Sequence, residues 1–359
     1  MGNRCSTPHN NTFSPGPGSQ EVRYGDQVLT YTGEEFYTTV DGVRATLDKY
    51  GIAIIPGVLS EEECRQMDEG MWATAELLTA SMDTPLARAD PTTYPALLRL
   101  KPKDGAGLFH GFGWRHAQYV WDVRSKEKIV RTFAEIFGTE DLIVSIDGAY
   151  CGLTPLWADG MYRGKHNLHC EQRYNMNDFE LVQSWVTANP VTVGDGTLRI
   201  LQGSHRFHGE FRKAFSTGRH LTTNWHVLTA EQVRWYEARG CVDLCILAPA
   251  GSHVLWDSRT VHCGQLALPV DSLPPSLRQE PRSPRNVVYV SMVPASYADE
   301  QCMKVRRLMF DGDSANTPIM SGHRPHQMKL FVTDPEVDFQ VPRMPIPQLN
   351  DVAKKLAYR

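Results

Sequence analysis

The sequence predicts a mainly β domain flanked by helices, and three observations carry that prediction. Short apolar runs bounded by Gly, Asp and Pro recur at 179–186, 197–202, 254–262 and 286–293, which is how strands joined by tight turns read. Helical spacing of apolar residues is concentrated ahead of these runs. Finally, His169-Cys170-Glu171 sets a histidine and a carboxylate at i and i+2, the spacing at which a strand turns both side chains to one face. A third ligand-type residue, His262, must then arrive on another strand, at the end of Val254-Leu255-Trp256-Asp257-Ser258-Arg259-Thr260-Val261.

The elements follow in order. Residues 1–20 are rich in Asn, Ser, Pro and Gly and read as a disordered tail. Phe36, Val40, Val43 and Leu47 give Glu34 to Tyr50 helical spacing. The apolar run beginning at Gly51 reads as a buried strand. Ser60 followed by Glu63 is a capping box that opens a helix from Glu61 to about Leu78. Residues 80–113 carry prolines at 85, 91, 95 and 102 and read as a loop-rich cover for an active site. Ile129, Phe133 and Ile136 mark the inner face of a helix from Lys126 to Phe137. Residues 311–359 form a Pro-rich tail that wraps the domain. With no repeat and no boundary linker, residues 21–359 are expected to form one domain.

Two imidazoles and one carboxylate fit one face of an octahedral iron(II) and leave three positions for O2 and a chelating co-substrate. His169, Glu171 and His262 are therefore the expected metal ligands. His166 lies three residues before His169, so on a strand it faces the other way and is read as structural or substrate-facing.

Several segments together resemble the phytanoyl-CoA dioxygenase family of iron(II)/2-oxoglutarate oxygenases. They are Gly51-Ile52-Ala53-Ile54-Ile55-Pro56-Gly57-Val58-Leu59-Ser60, Phe137 to Gly148, His169-Cys170-Glu171-Gln172, Gly196-Thr197-Leu198 with Gly203-Ser204-His205, and Trp256 to His262. The likeness spans roughly residues 40–310. It implies a double-stranded β-helix, a jelly-roll or cupin-like core, with its strands over about 142–294 and a helix inserted at Glu231–Arg239. It implies that His205 closes a tight turn, and that Gln183 and Trp185 line the 2-oxoglutarate pocket. The family's 2-oxoglutarate arginine begins the strand after the distal histidine. Arg285 holds that place here, with Arg282 and Arg278 in the preceding insertion as alternatives.

The cofactors so implied are iron(II), 2-oxoglutarate as co-substrate, O2, and ascorbate as reductant. Glu171 replaces the family's usual aspartate. Halogenating relatives carry Gly or Ala there, so Glu171 argues against halogenation. The expected reaction is oxidation of a small amino-acid-like or specialised metabolite, by hydroxylation, cyclisation or desaturation, with release of succinate and CO2. An acyl-CoA or lipid hydroxylase is the alternative substrate class, supported by Arg99, Lys101 and Lys103. A catalytically silent binding member of the family is the alternative from another class, and Glu171 is the feature in its favour.

Composition sets outer bounds. Hydrophobic residues make up 41% and charged residues 22%, as in an ordinary soluble globular protein. A net charge of −4 gives no reason to expect nucleic-acid binding. No apolar run approaches the ~20 residues that span a bilayer. The eight cysteines form no metal or disulfide pattern, which favours a reduced, cytoplasmic setting. Met1-Gly2-Asn3-Arg4-Cys5-Ser6 fits the N-myristoylation pattern, so a weak membrane tether through Gly2 is a further expectation. The expected assembly is a monomer or homodimer acting on a small molecule.

Overall fold

A computed structural model describes residues 16, 18–100, 107–152, 168–278, 284–311, 319–320, 330–331, 334 and 336–358. The acylation pattern at 1–6 and most of the N-terminal tail lie outside the described residues. The strands used below are β1 (Gln20–Tyr24), β2 (Gln27–Thr32), β3 (Ile52–Ile55), β4 (Leu108–Phe109), β5 (Leu142–Val144), β6 (Ala149–Gly152), β7 (His169–Cys170), β8 (Val182–Thr187), β9 (Thr197–Gln202), β10 (His226–Val227), β11 (Val242–Ile246), β12 (His253–Asp257), β13 (His262–Gln265), β14 (Arg285–Tyr289) and β15 (Met292–Pro294). The helices are α1 (Val43–Tyr50), α2 (Glu61–Thr79), α3 (Ala96–Arg99), α4 (Gln118–Arg124), α5 (Glu127–Phe137), α6 (His208–Ala214), α7 (Ala230–Glu237), α8 (Glu300–Asp311) and α9 (Asp351–Ala357).

Two sheets face each other. One runs β1-β2-β11-β9-β13-β7-β10 and the other β3-β12-β8-β14-β6-β4. Alternate residues of each strand point to opposite faces. Ile52, Ile54, Trp185, Val254, Trp256 and Val287 from the second sheet therefore meet Leu198, Ile200, Leu244 and Ile246 from the first in one buried cluster. The intervening residues Ala53, Ile55, Val182, Val186, Leu255 and Val288 face outward and are covered by α1, α2, α4 and α5. This is a double-stranded β-helix with these helices against the second sheet and α6 and α7 against the outer face of the first. Both faces of β8, β12 and β14 are buried, which is why they read as near-continuous apolar runs.

The capping box at α2 is present. Ser60 Oγ accepts from the Glu63 N–H and Glu63 Oε2 accepts from the Ser60 N–H. Three expectations need correction. The predicted helix over 34–50 is a single turn, Glu34–Phe36, followed by α1 from Val43. Between them Thr38 donates its N–H to Ile54 O at 2.9 Å, so pairing with β3 overrides the helical period. Residues 80–100 clothe the helical layer, while Leu108 and Phe109 join the second sheet as β4 beside Tyr150. Tyr94 packs on Trp72 at 5.1 Å, and Leu97 and Leu100 join the same outer cluster. The strand expected over 286–293 is two strands. β14 pairs with β6 and β8, and β15 moves to β5.

The C-terminal segment runs over the helices. Asp338 pairs with Arg99, and the Gln348 N–H donates to Gln118 Oε1. Buried Arg306 of α8 donates to Leu356 O and Ala357 O, fixing the end of α9, and to Val144 O of β5. Gly16 donates its N–H to Glu35 Oε1, and the expected tail gives way to β1 at Gln20.

Candidate metal and co-substrate site

β7 and β13 are antiparallel neighbours, and His169 and His262 are direct partners in that register. Their ring centroids lie 4.5 Å apart. Glu171, one residue beyond β7, brings Oε2 to 3.7 Å from His169 Nε2. One ligand atom from each of His169, Glu171 and His262 lies within 4.8 Å of the others. Glu171 is 9% exposed and His262 5%, so the donors converge in a largely water-excluded corner.

Neighbouring groups orient each donor. His262 Nδ1 lies 2.9 Å from Thr260 O, a carbonyl that can only accept. The ring proton therefore sits on Nδ1, and Nε2 keeps a lone pair for a metal. The turn carrying Thr260 is held on several sides. Asp257 and Arg259 form a bidentate pair, with a shortest contact of 2.6 Å. Ser204 Oγ accepts from the Val261 N–H, and Thr260 Oγ1 donates to Gly51 O.

Gln172 joins the two halves of the site. Its N–H donates to Ser258 O, its Oε1 accepts from Ser258 Oγ at 2.8 Å, and its Nε2 donates to Met176 O and Asp178 O. The residue after Glu171 is thus bonded to the turn that delivers His262. Between His169 and Glu171, the Cys170 thiol is pushed up to about 12 by burial, so it stays a neutral packing group rather than a fourth donor.

The inner face of the second sheet continues from the histidines. The Trp256 ring lies 5.3 Å from His262, and its Nε1 donates to Gln183 Oε1 at 3.0 Å. Two residues along β8, about 7 Å of strand, Trp185 faces Arg285. The guanidinium carbon of Arg285 lies 5.0 Å from the Trp185 ring and 4.8 Å from the Tyr150 ring. The phenols of Tyr150 and Tyr289 both lie beside Arg285. Burial drives both phenols upward, so they remain protonated at neutral pH. Arg285 Nε and Trp185 Nε1 are buried with no hydrogen-bond partner. A buried cation with an orphaned donor is costly unless an anion completes it. A carboxylate brought to this end would complete Arg285, so the residues fit 2-oxoglutarate as well as iron.

The alternatives separate. Arg278 is exposed and donates to Leu273 O and Asp271 O within its own loop, so it is not directed at the inner face. Arg282, His166, Lys101 and Lys103 lie outside the described residues. Arg99 is paired with Asp338 at the surface. His205 bonds outside its own loop, with Nε2 3.1 Å from Asp48 O in α1, so it ties that loop to the helix. Sequence reading missed Gln172 as a strut and Tyr150 and Tyr289 as partners of Arg285. Their signal is parity, because Tyr150, Val287 and Tyr289 share the inner face once the register is known.

The model of the phytanoyl-CoA dioxygenase family matches residues 47–265. The chain belongs to the phytanoyl-CoA dioxygenase family. Among similar proteins is Ava biosynthesis cluster protein O of Aspergillus versicolor, 26% identical over 222 residues. That match covers 60% of this chain and 66% of the relative, just under two thirds of the relative's length. A solved structure from Salmonella typhimurium LT2 shares the fold at TM-score 0.55 and 11% identity, covering 90% of this chain and 85% of that one. EctD from S. alaskensis, solved with 2-oxoglutarate and 5-hydroxyectoine, is 13% identical at TM-score 0.43, covering 70% and 75%. No helix among the described residues of this family member is long and apolar enough to cross a membrane.

Proposed function

We propose that the enzyme oxidises a small amino-acid-like or specialised metabolite by hydroxylation, desaturation or oxidative cyclisation, with iron(II) held by His169, Glu171 and His262. The observation that carries the reading is the convergence of those three donors within 4.8 Å. The biosynthesis-cluster name of the Aspergillus versicolor relative supports a metabolite substrate. Iron(II) with 2-oxoglutarate and O2 supplies the oxidising chemistry, with succinate and CO2 released and ascorbate serving as reductant.

The chain's own residues set the conditions. The Thr260 carbonyl holds His262 in the tautomer that offers Nε2. Gln172 keeps Glu171 and the His262 turn in fixed relation. Arg285, flanked by two phenols and two rings, receives the far carboxylate of 2-oxoglutarate, and Trp185 Nε1 and Gln183 lie along its length. Glu171 fills the carboxylate position of the ligand set, which leaves no place for a halide and directs the reaction away from halogenation.

The test is iron-dependent formation of succinate from 2-oxoglutarate by the purified chain, with candidate metabolites scored by their stimulation of turnover. Stimulated succinate release with a matching oxidised product supports the reading. Absence of any iron-dependent 2-oxoglutarate turnover contradicts it.

A further inference from the structure

Two non-glycine residues among those described have positive φ, Phe112 at 53° and Trp225 at 63°. A bulky side chain in this region is strained, and strain of this kind persists where the surrounding structure or the function requires it. For Phe112 the fold supplies a reason. Its N–H donates to Asp334 Oδ1 at 2.7 Å and its ring packs against the main core. Trp225 gains no such packing. It is 56% exposed, among the most exposed large apolar side chains described.

Its position is fixed by the metal site. The Trp225 N–H donates to Glu171 O at 3.2 Å, and the next two residues form β10, pairing with Cys170 and His169. The indole therefore stands beside the donors, its centroid 5.9 Å from the His169 ring at an interplanar angle of 49°. A strained backbone and a solvent-facing indole both count against the folded state. Glycine or asparagine would fit the same turn without strain.

We propose that Trp225 is the stacking wall of the substrate site and that the substrate presents a flat aromatic ring to it. This rests on the metal reading above, because it is the metal that makes the neighbourhood of His169 the place of reaction. The indole face offers a broad rigid surface, which a planar ring covers in an offset stack or an edge-to-face contact. An aliphatic chain covers one open flat face less completely. A cation over the ring, the other chemistry that an indole recognises, would be held close to a dication. Trp225 belongs to the same sheet as His169 through β10, so a ring stacked on it is held at a fixed offset from the metal ligands.

The experiment reads Trp225 directly. The full chain is labelled with 5-fluorotryptophan and loaded with zinc(II), a diamagnetic stand-in for iron(II). The Trp225 fluorine resonance is assigned by its absence in Trp225→Phe. Indole, cyclohexanol and tetramethylammonium are titrated separately, and thermal melts are recorded for wild type and Trp225→Gly. The proposal expects a saturable shift with indole at a concentration at least tenfold lower than with cyclohexanol, and none with tetramethylammonium. It expects Trp225→Gly to melt no lower than wild type. An equal response to cyclohexanol, a response to tetramethylammonium, or no response to indole overturns it. So does a Trp225→Gly protein that melts lower, which would make the indole a packing group. Zinc affinity, measured in the same samples and in His262→Ala, reports separately on the metal reading.

Discussion

His169 and His262 are register partners on adjacent antiparallel strands, with their rings 4.5 Å apart. Antiparallel pairing puts directly opposed side chains on the same face, so two residues remote in sequence become neighbours without any loop having to close over them. Whatever fixes the β7–β13 register also fixes the spacing of the two imidazoles.

Gln172 is the first test of that dependence. It bonds to Ser258 in both directions and to two further carbonyls. Loss of a group that orients metal ligands costs ~10–100-fold in metal affinity. Gln172→Ala should therefore weaken metal binding within that range while leaving all three donors in place. A cobalt(II) titration followed by its visible absorption measures it, and affinity equal to wild type would show the strut to be dispensable.

Arg285 should govern the co-substrate. Removing one member of a buried, hydrogen-bonded charge pair costs about 2–5 kcal/mol, so Arg285→Ala should raise the KM for 2-oxoglutarate well over tenfold. Arg285→Lys should recover only part of the loss, because an ammonium lacks the planar fork. Arg278→Ala should leave KM unchanged. The opposite ranking of Arg285 and Arg278 would move the carboxylate site to the insertion.

Gly51 tests the support of the His262 turn. It has φ +77°, and a Cβ there would lie 2.5 Å from both His205 Nδ1 and Thr260 Oγ1. Gly51→Ala should cost about 1–3 kcal/mol of stability and lower metal affinity by displacing Thr260. Urea unfolding and the same cobalt titration measure the two effects. Stability at the wild-type level would mean that the contact yields without cost.

Acid should destabilise the fold through its buried histidines. Burial pushes His253 down to about 3 and His208 down to about 4, from an ordinary 6.5. Below about 6.5 the unfolded chain binds protons that the native state excludes, so stability falls as pH falls, and it continues to fall until the native pKa is reached. Between pH 6.5 and 5 each such histidine accounts for about 2 kcal/mol. His253→Gln, which also perturbs the contact of His253 with Ser184, should flatten the pH dependence of the urea midpoint by about that amount. An unchanged slope would show that His253 is not the titrating group.

The pattern of legibility follows from range. His169 and Glu171 were readable because period two is a local property of a strand, and Arg285 because it opens one. The capping box was readable because Ser60 and Glu63 satisfy each other within one turn. Thr38 was not, since its partner Ile54 belongs to another strand. Tyr150 and Tyr289 meet Arg285 only through the register of β6, β14 and β8. Trp225 reaches His169 through a two-residue strand that exists because β7 is beside it, and nothing in the composition of 222–227 announces it.

The most direct test of the account is iron(II) binding and iron-dependent succinate formation by wild type and His262→Ala, measured side by side. The account predicts one iron(II) per chain and 2-oxoglutarate turnover in wild type, with both lost in His262→Ala while the variant keeps its fold. Full turnover by His262→Ala would contradict it.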